Sequence, residues 1–106
     1  MLDINLIREK PDVVRKSLAD RQMDPAPVDR VLALDEQRRM LIQKVEELRA
    51  ERNTVSKEIG RMKDPQERQA KIEAMRQVSD RISELDEELR RVEGEMDGLM
   101  ALLPNI

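Results

Sequence analysis

Apolar residues in this chain form two heptad series that mirror each other about Pro65. Both series alternate steps of three and four residues, which is the spacing of a coiled-coil seam. When the series are paired from the middle outward, the two residue numbers of every pair add to the same value, as expected for antiparallel helices in matched layers. The sequence therefore predicts an all-α fold built on a long antiparallel two-helix coiled-coil hairpin. The first series is Val31, Leu34, Arg38, Leu41, Val45, Leu48, Arg52 and Val55, and the second is Met75, Val78, Ile82, Leu85, Leu89, Val92, Met96 and Leu99.

The composition supports this architecture and excludes several kinds of chemistry. Charged residues make up 41% of the 106 residues and aromatic residues are absent, so one narrow apolar stripe per helix suits the chain better than a large globular core. Without cysteine or histidine there are no disulfides, no Cys/His zinc sites, no thiol nucleophiles and no imidazole acid–base chemistry. No apolar run approaches the ~20 residues of a transmembrane helix, and the first residues lack a signal-peptide pattern. A cytoplasmic protein without membrane contact is expected.

Helix start and stop signals divide the chain into segments. Asp3 can cap a short first helix, and Pro11 suits the first turn of a second one because no amide partner is needed there. Gly60 is a natural end for the first long helix. Asp64-Pro65-Gln66-Glu67 is a capping box with proline at the first helical position, at the centre of the mirrored heptads. The predicted single domain, residues 1–106, contains short helices in 1–22, a linker at 23–27, an arm helix at 28–59, a tip turn at 60–64 and a return helix at 65–103.

Apolar residues outside the seam are concentrated near the open end of the predicted hairpin. We therefore expect the short N-terminal helices to pack on this base, with the distal half of the hairpin exposed to solvent. Gly94 and Gly98, four residues apart on one outward face, either allow close approach of another helix or are tolerated surface glycines. The off-seam apolar residues are Leu32, Met40, Ile42, Met100 and Leu102.

Charge is unevenly distributed along the chain. Residues 49–76 contain eight basic and five acidic residues, a net of +3, whereas the whole chain carries −3 and the remainder therefore −6. The excess of basic residues in 49–76 has two possible explanations. It is either an ordinary solvated helical surface or a nucleic-acid-binding surface. Because aromatic residues are absent, bases cannot stack on Phe, Tyr or Trp, so single-strand recognition of that kind is excluded, and contacts with the phosphates and riboses of a folded RNA remain. Two arginines occupy seam positions: a structural role is favoured for Arg38 and, by a narrower margin, for Arg52, where a phosphate contact stays open.

No catalytic constellation is present in the sequence. The carboxylates at Glu84 and at 86–88 are typical of a solvated helix surface, not of a metal or acid–base site. No glycine-rich loop follows a strand, so a phosphate cradle for a nucleotide is absent. We expect no catalytic residue, no bound metal and no cofactor in this chain. The chain is therefore not expected to be an enzyme by itself.

Three segments resemble the N-terminal arm of bacterial seryl-tRNA synthetase. They are the opening MLDINLIREKPDVVRKSLADR with its Arg8-Glu9-Lys10-Pro11 spacing, the segment ERNTVSKEIG that ascends to the tip, and the closing Leu102-Leu103-Pro104-Asn105. The resemblance extends over all 106 residues. It implies a tRNA-binding arm of a serine–tRNA ligase, which grips the long variable arm and the elbow of serine tRNA through backbone and shape contacts.

The resemblance also implies where the reaction takes place. It places a class II catalytic domain after Ile106, which would use ATP and magnesium, catalyse aminoacylation and form a homodimer. The chain itself is expected to be a monomer without enzymatic activity. The alternative function is a coiled-coil hairpin that serves as a protein–protein interaction module. Such a module should expose apolar residues at its tip, whereas Arg, Lys, Asp and Gln occupy this one.

The candidate tRNA-binding residues come from two sources. Arg52, Asn53 and Lys57 match the family's segment, and the resemblance places them on the tRNA-facing part of the arm. Five further basic residues are added from charge and location alone. The predicted site is Arg49, Arg52, Asn53, Lys57, Arg61, Lys63, Lys71 and Arg76.

Overall fold

The computed structural model describes residues 3–104, and this part of the chain contains four α-helices and no strand. Residues 1, 2, 105 and 106, which belong to the predicted domain, lie outside the described residues. Contacts between residues divide the chain into two units. The terminal unit contains residues 3–39 and 91–104, and the turn unit contains residues 40–90, including the connection between the last two helices. The helices are α1 Ile4–Glu9, α2 Pro11–Asp20, α3 Ala26–Arg61 and α4 Pro65–Leu102.

Ion pairs between α3 and α4 establish the direction of the two long helices in each unit. In the terminal unit, Arg30 contacts Glu95 at 2.8 Å and Arg38 contacts Glu93 at 3.9 Å. The partner number on α4 falls as the residue number on α3 rises. The turn unit repeats this order, since Arg49 contacts Asp86 and Glu58 contacts Lys71. The two helices are therefore antiparallel in both units, and the predicted antiparallel helical hairpin is confirmed.

The predicted seam is the buried stripe of both long helices. All sixteen seam residues are buried or half-buried, and none is exposed. In the turn unit, Leu85 is 2% exposed and Val45 is 3% exposed, whereas the seam residues at 52, 55, 75 and 78 are only half-buried. A single narrow stripe of aliphatic side chains thus holds the helices together, as the composition predicts.

The short N-terminal helices pack in the terminal unit, as predicted. Asp3 caps α1 by accepting a hydrogen bond from the Asn5 amide at 2.9 Å, and Pro11 occupies the first turn of α2. The side chains Ile7, Val14 and Leu18 have no exposed surface. They share the core of this unit with the fully buried residues Val28 and Val31 of α3.

A buried ion pair joins α1 to α3 in the terminal unit, and the sequence analysis missed it. Asp35 is fully buried and accepts two hydrogen bonds from the Arg8 guanidinium, one of them from Nε at 2.8 Å. Arg39 adds a second cation at 3.2 Å. The hydrogen bond from Arg8 lowers the pKa of Asp35 below its ordinary value, and it outweighs burial, which acts in the opposite direction. This contact gives Arg8 of the opening motif a structural role.

Two predicted helix ends differ from the structure. Helix α3 begins at Ala26, inside the predicted linker, because the Asp24 carboxylate accepts a hydrogen bond from the Ala26 amide at 2.9 Å and Pro27 is compatible with a first helical turn. At its other end, α3 continues through Gly60 to Arg61, and Gly60 does not adopt a positive φ. The predicted stop at Gly60 is therefore wrong, and the turn between the long helices is confined to residues 62–64.

The start of α4 agrees with the capping signal, and its end lies one residue before the predicted one. The Asp64 side chain accepts a hydrogen bond from the Gln66 amide at 3.0 Å, and the Asp64 carbonyl accepts one from the Arg68 amide at 3.0 Å. Proline at position 65 occupies the first helical position, where it needs no hydrogen-bond partner. Helix α4 ends at Leu102.

The off-seam apolar residues are covered only in part. Met100 is buried and Leu32 and Ile42 are half-buried, but Met40 is 65% exposed and Leu102 is 67% exposed. Helices α1 and α2 have only 6 and 10 residues, and they are too short to cover all of these side chains.

Two further findings concern the long helices. The space beside Gly94 and Gly98 is open, so none of the helices within residues 3–104 packs closely there. In the described part of the chain, no helix combines the length and apolarity that a bilayer-spanning helix requires.

Candidate nucleic-acid interface

All eight predicted binding residues lie in the turn unit. Helix α3 carries five of them, the turn carries Lys63, and α4 carries Lys71 and Arg76. Seven are exposed, and Arg52 is half-buried. The helical repeat places Asn53, Lys57 and Arg61 one turn apart along α3. The fold thus brings the predicted residues into one unit, but it does not give all of them the same electrostatic environment.

Three of the predicted cations are neutralised by carboxylates. The Arg49 guanidinium lies 3.4 Å from Asp86, and the Lys71 ammonium lies 3.5 Å from Glu58. Arg76 lies 3.9 Å from Glu73, one turn earlier on the same helix. Each of these cations already lies near a carboxylate, which lowers its net attraction for a phosphate and repels a phosphate that binds beside it. These three residues are weak candidates for a phosphate site.

Four of the predicted cations have no carboxylate within 4 Å anywhere in residues 3–104. They are concentrated in the last ten residues of α3 and in the turn that follows. Because their charges are not balanced locally, they remain available to an external anion. The four are Arg52, Lys57, Arg61 and Lys63.

The two seam arginines have different ion-pair environments. Arg38 lies in the terminal unit, 3.9 Å from Glu93, and its side chain is 34% exposed, as expected for a stem laid along the seam with its charge paired at the edge. Arg52 is also half-buried, but no carboxylate in the described residues balances it. Its stem is held by the seam while its charge stays uncompensated, which leaves it positioned for an anion.

Arg68 is a candidate that the sequence analysis left out. It lies in the first turn of α4, is exposed, and is not within 4 Å of a carboxylate in the part of the chain that the structure describes. Its amide donates to the Asp64 carbonyl, so the residue is fixed beside the turn and Lys63. The signal was available, because Arg68 is one of the eight basic residues counted between 49 and 76.

The described residues offer no alternative chemistry. No group of three or more carboxylates in this part of the chain is arranged to hold a metal ion. The carboxylates predicted to form a solvated face are partly engaged in ion pairs, since Glu84 contacts Arg81 at 3.1 Å and Asp86 contacts Arg49.

Comparison with known proteins identifies the family. A model of the seryl-tRNA synthetase N-terminal domain matches residues 1–106. The chain belongs to this family. The resemblance found in the sequence is therefore confirmed over its full length.

Individual relatives of this seryl-tRNA synthetase N-terminal domain agree with the family match. The serine–tRNA ligase of Chloroflexus aurantiacus is 58% identical over 106 residues, and that of Roseiflexus sp. is 57% identical. Both matches cover 100% of this chain and 25% of the relative. The crystal structure of seryl-tRNA synthetase from Pyrococcus horikoshii complexed with ATP matches with a TM-score of 0.92 and 36% identity, over 100% of this chain and 24% of that one. The chain thus spans about a quarter of the length of these relatives.

Proposed function

We propose that this chain is the tRNA-binding arm of a serine–tRNA ligase. In this proposal it holds the long variable arm and the elbow of serine tRNA through contacts to the RNA backbone and through shape. One observation carries the proposal: five exposed or half-buried cations, none within 4 Å of a carboxylate among residues 3–104, lie between residue 52 and the first turn of α4. This group, the free basic cluster, consists of Arg52, Lys57, Arg61, Lys63 and Arg68.

The chemistry of the free basic cluster suits RNA backbone. Arginine and lysine supply hydrogen-bond donors and positive charge without reading base identity. The exposed amide of Asn53 can donate to a phosphate or accept from a ribose 2′-hydroxyl. Since the chain has no aromatic residue, recognition cannot depend on base stacking. A folded RNA with a distinctive shape is the partner that fits such a surface.

The protein-interaction alternative has less support. Large apolar side chains that are exposed among residues 3–104 are Val13, Met23, Met40 and Leu102, and none of them lies between 49 and 76. A shallow groove of about 440 Å³ does lie beside the turn. Its lining is mixed, because Glu67 and Lys71 accompany Met62 and two alanines. A docking site for a protein helix would require a larger apolar surface.

The chemical reaction belongs, in this proposal, to the remaining three quarters of such a protein. The relatives are four times as long as this chain, and the Pyrococcus horikoshii structure contains ATP. We therefore assign aminoacylation, the use of ATP and magnesium, and homodimer formation to the part beyond this chain. The arm itself supplies binding energy and orientation, which position a bound substrate for catalysis elsewhere.

The proposal is tested by measuring binding of the chain to serine tRNA with fluorescence anisotropy over a series of salt concentrations. We expect weak binding with a slope of log K against log salt of about −4.5, because five phosphate contacts contribute about −0.9 each in duplex DNA and a comparable amount in folded RNA. A serine tRNA with its long variable arm deleted should bind clearly less well. Equal binding of the two RNAs would contradict the proposal.

A further inference from the structure

We infer that the RNA backbone contacts the last ten residues of α3, the turn and the first turn of α4 rather than the rest of α4, so that the tRNA-binding surface of this arm is one-sided. This inference rests on the proposed function and specifies which side of the turn unit performs it. The observation behind it is the different state of the cations on the two helices.

Both long helices carry basic residues in the turn unit, and the two sets differ in their ion pairs. The last ten residues of α3 contain three of them, and none is paired with a carboxylate in the described residues. The segment of α4 from 69 to 83 also contains three, and every one is in an ion pair, with partners at 3.5, 3.9 and 3.1 Å. The unpaired set is Arg52, Lys57 and Arg61, and the paired set is Lys71, Arg76 and Arg81.

Ion pairing changes what a cation offers to a polyanion. At some distance, a Lys–Glu pair presents almost no net charge, whereas an unpaired lysine presents a full one. On contact, a phosphate that binds the paired cation also lies beside its carboxylate, which repels it. The phosphate gains less from Lys71 than from Lys57 for both reasons.

The outward surface of α4 adds repulsion. Asp80, Glu84 and Glu87 are spaced by four and three residues, so they lie on one face of the helix, and all three are exposed. Only Glu84 has a partner cation within 4 Å among residues 3–104. Lys57 and Arg61 of α3, four residues apart, lie nearer the turn and place two unpaired cations on one face of that helix. An RNA backbone is thus attracted along the last ten residues of α3 and repelled along residues 80–87 of α4.

The test compares two double variants that remove the same charge and the same residue types from the same unit. Lys57→Gln with Arg61→Gln changes the α3 side, and Lys71→Gln with Arg76→Gln changes the α4 side. We expect the α3 variant to bind serine tRNA about tenfold more weakly, with a salt slope smaller by about 2. The α4 variant should retain affinity within about threefold and keep the wild-type slope. Circular dichroism and thermal melting establish that both variants are folded.

The outcomes separate the inference from the proposed function. Equal weakening by both variants would overturn the one-sided surface while leaving an RNA-binding arm. Greater weakening by the α4 variant would overturn it as well. No effect of either variant would also overturn the inference, because it would show that Lys57 and Arg61 do not contact RNA, whereas the proposed function would still be decided by the deletion of the variable arm.

A second measurement does not depend on affinity. The chain has no cysteine, so one introduced cysteine carries a photo-crosslinker at a single known place. Asn53 on α3 and Gln77 on α4 are both exposed and occupy one layer of the mirrored heptads. We expect the Asn53→Cys variant to crosslink to bound tRNA and the Gln77→Cys variant not to do so. Crosslinking from Gln77→Cys alone, or equally from both, would contradict the inference.

Discussion

At the scale of single residues, Asp35 is the most constrained side chain of the structure. It is fully buried, and its carboxylate is bound by Arg8 from α1 and by Arg39 from its own helix. A buried carboxylate without such partners would lower the free energy of unfolding. Removing either member of the pair is destabilising because the other charge is then left without a partner. The anchoring of α1 to α3 therefore depends on a charge pair that connects residues 27 positions apart.

Replacing Asp35 with asparagine should destabilise the chain by about 3 kcal/mol, because breaking a buried pair leaves the partner cation uncompensated. Urea unfolding followed by circular dichroism measures the change. The neighbouring exposed carboxylate provides the control, since Glu36→Gln should alter the free energy of unfolding by less than about 0.5 kcal/mol. Similar costs for the two variants would argue against an energetic role of the Arg8–Asp35 pair.

The same residue predicts a dependence of stability on pH. Hydrogen bonding from Arg8 lowers the pKa of Asp35 in the folded state, so the unfolded chain takes up a proton more readily. The stabilisation is present above the unfolded pKa of about 3.9 and is lost as the pH falls below it through the folded value. We expect part of the acid loss of stability to disappear in Asp35→Asn when melting temperatures are compared between pH 6 and pH 2.5. Parallel curves for the two proteins would refute this.

At the scale of helices, local signals and helix packing do not always agree. Asp3, Pro11 and Asp64 begin their helices as predicted, because each satisfies or avoids free amides within a few residues. Gly60 does not end α3. Buried Ile59 and half-buried Met62 lie on either side of it, and this packing favours continuing the helix for another residue.

Replacing Gly60 with alanine should therefore stabilise the chain, whereas the same replacement at a helix-ending glycine would destabilise it. Its φ is not positive, and a Cβ at this position meets no atom within 4 Å. Gly60→Ala should stabilise the chain by about 0.5–1 kcal/mol, because alanine loses less conformational entropy in a helix. Thermal melting is the measurement. A destabilised variant would indicate that Gly60 serves as a left-handed cap after all.

The seam gives a matched pair of truncations on the long helices. Leu85 is 2% exposed and Met40 is 65% exposed, and both lie in the turn unit. Leu85→Ala should cost about 2–4 kcal/mol, because it removes buried methyl groups from the stripe that joins the helices. Met40→Ala should cost less than about 0.5 kcal/mol. If the two variants had equal unfolding free energies, the seam would not be the source of stability.

At the scale of the whole molecule, composition and charge arrangement limit the partners. The chain carries −3 overall, with no aromatic residue, yet the segment 49–76 carries +3. In the proposed function, attraction of RNA is therefore local, and it depends on the part of the chain that presents unpaired cations. A net acidic molecule of this kind avoids indiscriminate binding of nucleic acids.

This arrangement predicts discrimination between folded and unfolded RNA. Without aromatic side chains, the chain cannot gain the stacking energy that single-stranded RNA offers to other binding proteins. In anisotropy competition at fixed salt, an unstructured oligouridine with as many nucleotides as serine tRNA should compete at least about tenfold less well. Equal competition by the two RNAs would mean that binding is generic electrostatic attraction.

The sequence by itself determined the helices, their antiparallel order, the sixteen seam positions and the starts of three of the four helices. These features follow from spacings of three and four residues and from capping groups next to the amides they satisfy, and both are local properties of the chain. The basic segment was also visible, since charge is a property of each residue alone.

Only the tertiary structure decided which basic side chains are paired with a carboxylate and which remain available to an external anion. Arg49 and Lys71 are as basic in the sequence as Lys57, but Asp86 and Glu58 reach them from the opposite helix. Likewise, the Arg8–Asp35 contact joins helices that no local pattern relates. Whether a side chain meets a partner depends on the rotation and register of two packed helices, and this information does not lie in the neighbourhood of either residue.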